Sequence, residues 1–220
     1  MCMFGIFFRC LQPHSLIHML IRTFKVPAEG CGFEISQIRL GPGRIHHCMR
    51  SIGAAEKALE LMAKRGFSRD AFGKPIAKLG KNVEVIAKAR IEIKAMRMMI
   101  LKVAKAMDVL GNADALTWIS AIKAMVPIRV CQIIDEAIQI HGATGLSQWT
   151  PIAEMYRSQR TLRLADGPDE VHWFVVGPAE LNRWSEEAKD YDPKQAFLSV
   201  QSRSSGESEG HAKDKVFEGP

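Results

Sequence analysis

The chain has 220 residues, with 30 Lys+Arg against 24 Asp+Glu, a formal charge of +6 and a pI near 9.1; 47% of its residues are hydrophobic and 25% charged. That balance belongs to an ordinary globular protein and excludes a wholly disordered chain, a collagen and a disulfide-stapled miniprotein. Acids and bases are mixed along most of the sequence, and the aromatics are not interleaved with the lysines, so the charge suits an anionic ligand and not a nucleic acid.

Met1 to Lys25 carries Arg9, Arg22 and Lys25, holds no acid and is rich in Met, Phe, Leu and Ile. Scattered arginine without acids is presequence-like, but serine is scarce, and residues 1–25 read more simply as an atypical segment outside the folded unit. The cysteines Cys2, Cys10, Cys31, Cys48 and Cys131 are odd in number and lack CxxC spacing, which predicts reduced, partly buried thiols. No stretch approaches eighteen uninterrupted apolar residues, so no membrane insertion is expected.

Helical periodicity dominates from Arg44 to Trp184. A first helix is predicted from Arg44 to Arg65, with Ile45, Met49, Ile52, Leu59 and Met62 on one stripe and Gly66 as its stop. After the loop Ser68 to Ile76, a second helix runs from Asn82 to Leu110 on an inward stripe of Val83, Ile86, Ile93, Met96, Ile100, Val103, Met107 and Leu110. Its Met96, Met98, Met99 and Met107 read as core filler. A third runs from Ala113 to His141 with Pro127 inside, where the missing donor predicts a kink.

Gly142 and Gly145 break that pattern. Thr150-Pro151 reads as N-cap and first position of a fourth helix reaching Leu164. After the interruption Ala165-Asp166-Gly167-Pro168, a fifth helix opens on Asp169 and Glu170, acids placed where the helix dipole favours them. The tail from Ser202 has little to bury and reads as disordered. The expected fold is all-α, an antiparallel four-helix bundle with a shorter helix beside it.

His46 and His47 are adjacent, about 100° apart on a helix, and cannot share a metal; His14 and His18 lack a third ligand. Phosphate loops, nucleophile elbows and kinase signatures are missing from the sequence, so no metal site is expected. Three segments carry more. Arg69 and Phe72 sit three apart in a Gly-bounded turn, where arginine could clamp a phosphate and the ring could stack, or else serve as a surface charge and an anchor. Gln139, Gly142 and Ala143 combine a helix end with backbone that could approach a ligand, or form a plain stop. Asp166 in an inter-helix turn could be a general base, or cap the next helix.

In order, these segments resemble the C-terminal helical domain of the acyl-CoA dehydrogenase family. The runs Arg39-Leu40-Gly41-Pro42-Gly43-Arg44-Ile45-His46-His47 and Leu164-Ala165-Asp166-Gly167-Pro168-Asp169-Glu170-Val171-His172 resemble the subgroup related to kinase-fused members. The resemblance implies FAD as cofactor, an acyl-CoA substrate, removal of the α-proton by a carboxylate and hydride transfer from the β-carbon to flavin. It places the base on Asp166, with Arg44 beside it. Arg69 and Phe72 would reach the FAD of a neighbouring subunit, with Gln139, Gly142 and Ala143 against its adenine end. A homo-oligomer, dimer or tetramer, is implied, and a mitochondrial or peroxisomal setting, or a cytoplasmic one if the N-terminus carries no signal.

This sequence departs from the family pattern in several places. Gly80 stands where many members have a flavin-contacting glutamine, Ala143 replaces a glycine, and Pro168 and Glu170 replace Thr and Gln after the base. Gly43 leaves the alternative base position without an acid. The expected organisation is residues 1–25 atypical, 26–43 a remnant of the linker from the middle domain, 44–184 the helical domain and 185–220 a disordered tail. The family's first and middle domains are expected to be absent. The competing expectation is a non-catalytic helical module that assembles with a full-length dehydrogenase.

Overall fold

The computed structural model describes residues 30–192; the expectations for residues 1–25 and for the tail from 193 onward lie outside the described residues. Helix α1 spans Gly32–Ser68, and starts twelve residues before the predicted Arg44. Pro42 lies inside it, and Gly41 packs so closely on the next turn that an added Cβ would meet Asn112 Oδ1 at 1.6 Å. Gly66 does not stop the helix. It is a packing glycine, because a Cβ there would sit 2.9 Å from the Ala77 Cβ, and α1 runs on to Ser68.

A minimal hairpin follows. Strand β1 (Asp70–Ala71) pairs antiparallel with β2 (Lys74–Pro75) in the register Asp70↔Pro75, Ala71↔Lys74. Phe72 (φ 54°) and Gly73 (φ 74°) make the turn, both left-handed, as a two-residue hairpin of the right twist requires. A 3₁₀ turn, Ile76–Lys78, leads into α2 (Gly80–Leu110), and Asn82 Nδ2 donates to the Ile76 carbonyl at 2.8 Å. Gly111 ends α2 at φ 86°, as its position predicts.

Helix α3 (Leu116–His141) is continuous through Pro127. It supplies the richest set of buried side chains: Ile119, Ile122, Val126, Val130, Ile133, Ile134, Ala137 and Ile140. It is also long and apolar enough to cross a membrane by length and composition, which the search for uninterrupted runs missed, yet 61% of its most apolar window is buried in the bundle. Gly142 (φ 64°) caps it and donates its N–H to the Ile138 carbonyl at 2.9 Å. The single turn α4 (Ala143–Leu146) follows. Thr150 is not an N-cap; its Oγ1 donates back to the Thr144 carbonyl at 3.1 Å, and Pro151 precedes α5 (Ile152–Thr161), which ends short of Leu164. Helix α6 spans Asp169–Trp184.

The contacts fix the directions. Glu56 on α1 pairs with Arg90 and Arg97 on α2, each at 2.9 Å, and Lys123 on α3 reaches the end of α5. Gly41 beside Asn112 and Gly66 beside Ala77 set the two ends of α1 against the opposite ends of α2, so these two helices are antiparallel, and the all-α bundle is as expected. Its seam buries Ile45, Cys48, Ile52, Leu59 and Met62 from α1 and Ile93, Met96, Ile100 and Val103 from α2. Met49, Val83, Leu110 and Met98 were expected inside and lie outside, because the stripe on each long helix drifts as it turns at 3.6 residues. From Gly177 onward the described residues belong to a second compact unit, in which Trp184 Nε1 donates to Glu180 Oε1 at 2.8 Å.

Candidate functional site

The turn after α5 carries Asp166 at φ 59°, a left-handed conformation that costs a non-glycine residue free energy and is seen where surrounding contacts over-determine it. Two side chains one turn apart on α1 make those contacts. Arg44, buried, donates from Nε to the Asp166 main-chain oxygen at 2.9 Å. His47 Nε2 stands 2.9 Å from Asp166 Oδ2. The structure thus brings Arg44 and Asp166 together. The carboxylate is turned toward α1 and is engaged by His47, so the helix-cap alternative does not describe what it does.

Beneath this pair lies a buried polar layer. Lys123 is fully buried on α3, and its Nζ donates to the Leu162 carbonyl at 2.5 Å and the Gly167 carbonyl at 3.3 Å. Burial lowers its pKa, opposed by Cys48, Asp169 and Asp166. Arg163 Nε donates to Asp169 Oδ2 at 2.6 Å, which secures the first turn of α6. His172 is buried against Gly167, and burial first, then Lys123 and Arg44, push its ring down to about 4. The Asp166 backbone pulls the other way, but neither ring nitrogen completes a well-formed hydrogen bond among the described residues. His47 is also lowered, chiefly by burial, against the opposing pull of Asp166.

Sequence reasoning found Arg44 and Asp166 and missed His47, Lys123 and His172. A signal existed for two of them. Lys123 is a lysine inside an otherwise buried stripe between Ile119 and Val130, and His47 is three residues after Arg44 and so shares its face.

The second constellation lies at the C-terminal end of α1. Arg69 and Gln139 line one shallow cavity of about 210 Å³ with Ala71, Lys81, Asn82 and Glu136. Gly142 and Ala143 follow within one turn of Gln139 on an exposed surface, and Phe72 is displayed from the hairpin at 92% exposure, an anchor to nothing in its own chain among the described residues. Arg44 and Arg69 are separated by about two thirds of α1, roughly 37 Å at 1.5 Å per residue. One chain does not bring the two constellations to one point.

The donors at this edge are of the kind that a dinucleotide takes. Arg69 and Lys81 supply cationic donors for phosphate, Gln139 an amide and Phe72 a bare ring face, which suit one end of such a molecule. The cavity is too shallow to enclose a whole one.

Residues 30–180 match the family model described as acyl-CoA dehydrogenase, C-terminal domain. Acyl-CoA dehydrogenase family member 11 of Rattus norvegicus is 52% identical over 161 residues, 73% of this chain and 21% of that protein. The protein described as probable acyl-CoA dehydrogenase FadE2 of Mycobacterium tuberculosis is 50% identical over 176 residues, 77% of this chain and 43% of that protein. Among solved structures, butyryl-CoA dehydrogenase from Megasphaera elsdenii superposes with a TM-score of 0.65 at 29% identity, over 70% of this chain and 40% of that one. The chain thus spans about a fifth of the first of these two relatives and somewhat over two fifths of the second.

Proposed function

Since the chain belongs to the acyl-CoA dehydrogenase family through its C-terminal helical domain, we propose that it serves the α,β-dehydrogenation of acyl-CoA thioesters in fatty-acid β-oxidation, with Asp166 as the base. The observation that carries this reading is the placement of Asp166. A carboxylate is held in a strained left-handed turn, its backbone gripped by Arg44, its Oδ2 met by His47 Nε2 and a quarter of its side chain exposed. Strain maintained by specific bonds at a carboxylate is what a positioned proton acceptor requires.

In this mechanism Asp166 takes the proton from the α-carbon of the thioester. Arg44 holds the turn by its main-chain bond, and Lys123 holds the same turn from below through the Gly167 carbonyl. The cofactor of this reading is FAD, whose chemistry when bound is acceptance of a hydride from the β-carbon. Arg69, Phe72, Gln139, Gly142 and Ala143 are the residues of this chain proposed to hold its adenine and phosphate end. Their distance from Asp166 along α1 favours a homo-oligomer in which each chain serves its own base and its neighbour's cofactor.

The test is deuterium exchange at the α-carbon of an acyl-CoA, with the chain and added FAD in heavy water. Exchange is expected in the wild type, with a loss of about 100-fold or more in Asp166→Asn. Equal exchange in the two proteins, or none in either, removes Asp166 from the role.

A further inference from the structure

His47 has no role in the reading above. Its Nε2 lies 2.9 Å from Asp166 Oδ2, while its Nδ1 is buried and meets no hydrogen-bond partner among the described residues. A neutral imidazole has one N–H to place. A proton on Nδ1 would leave a buried donor unmet and set the Nε2 lone pair against a carboxylate lone pair. A proton on Nε2 satisfies both oxygen and ring. Geometry therefore fixes the tautomer, and burial keeps the ring neutral near pH 7. Arg44 and His47 lie one turn apart, so α1 holds the backbone of Asp166 with one and its carboxylate with the other.

We propose that His47 is a positioning residue for Asp166: its Nε2–H fixes one carboxylate oxygen, Oδ2, and so leaves Oδ1 as the atom that takes the α-proton of an acyl-CoA. This rests on the reading of Asp166 as the base. In the step, the Cα–H bond breaks and Oδ1–H forms. The electron pair stays on the carbon beside the thioester, and His47 keeps its own proton throughout. Charged and titratable groups around the pair come from every neighbouring element. Arg44, His46 and Arg50 lie on α1, Lys123 on α3, and Asp169 and His172 on α6.

The first arm of the test is ring nitrogen NMR on the 220-residue chain, which needs neither cofactor nor substrate. His47 is expected as the Nε2–H tautomer, and in Asp166→Asn its pKa is expected to fall further, since a partner carboxylate favours the charged ring. A Nδ1–H tautomer, or the same titration in both proteins, overturns the proposal. The second arm is α-proton exchange. His47→Phe is expected to slow it about tenfold or more, while His47→Gln, which keeps a donor, restores most of the rate. Equal loss in Phe and Gln variants that keep wild-type helicity and thermal midpoint means that the donor is immaterial, and also overturns it. Failure of the base reading is distinguishable, because it leaves the tautomer and titration intact while Asp166→Asn exchanges as well as the wild type.

Discussion

His172 carries a ring with no well-formed hydrogen bond into the bundle, beside Lys123 and Arg44, and its titration ties stability to pH. Its folded pKa of about 4 lies below the unfolded value of 6.5, so between those values the unfolded chain binds the proton and the folded chain does not. The stabilisation is fully present above pH 6.5 and is lost as pH falls toward 4, on the order of 3 kcal/mol. Urea unfolding at pH 7 and pH 4.5 is expected to show that loss, and His172→Phe is expected to flatten it. Gly167 is constrained from the same side. At φ 108°, with a notional Cβ 3.0 Å from His172 Nε2, it has no place for a side chain, and Gly167→Ala is expected to cost about 1–3 kcal/mol in the same assay.

At the scale of elements, Lys123 does the work of a clasp. Its ammonium joins α3 to the last carbonyl region of α5 at Leu162 and to the turn at Gly167. Lys123→Met keeps the length of the side chain but leaves two carbonyls without their donor, so a loss of about 2 kcal/mol or more is expected in thermal or urea unfolding. Helix existence was legible in the sequence wherever a long apolar stripe ran between glycine stops, as for α2 and α3. Boundaries were less so. Gly66 looked like a stop, but what decides its role is Ala77 packing across the hairpin, a contact separated in sequence and invisible to periodicity. Arg44 and Asp166 were legible through resemblance to a family motif. His47 could be read only as a residue on the face of Arg44, and His172 not at all, since it becomes meaningful only when α6 meets the turn before it.

For the molecule as a whole, α1 acts as a ruler, with one candidate site about a third of the way along it and the other at its C-terminal end. Roughly 37 Å separates Arg44 from Arg69, and among the described residues no side-chain network runs through the seam to link them. Changes at the two sites are therefore expected to be additive. Arg69→Ala should leave the His47 ring titration where it was, and Asp166→Asn should not alter any FAD fluorescence quenching contributed by the Phe72 edge. Coupling between the sites in the free chain would mean that α1 shifts as a rigid rod.

Cys48 gives the bundle a clock. It lies on α1 with no exposed surface, and burial pushes its thiol up to about 12, so in the closed state it is both covered and un-ionised. Alkylating reagents attack the thiolate, and the reaction must wait until α1 lifts from α3. The labelling rate of Cys48, followed by peptide mass against that of the half-exposed Cys31, then counts openings of the central seam. A ratio of about a thousandfold or more is expected if that seam opens only with global unfolding. A much smaller ratio would reveal that the end of the bundle holding Asp166 breathes on its own.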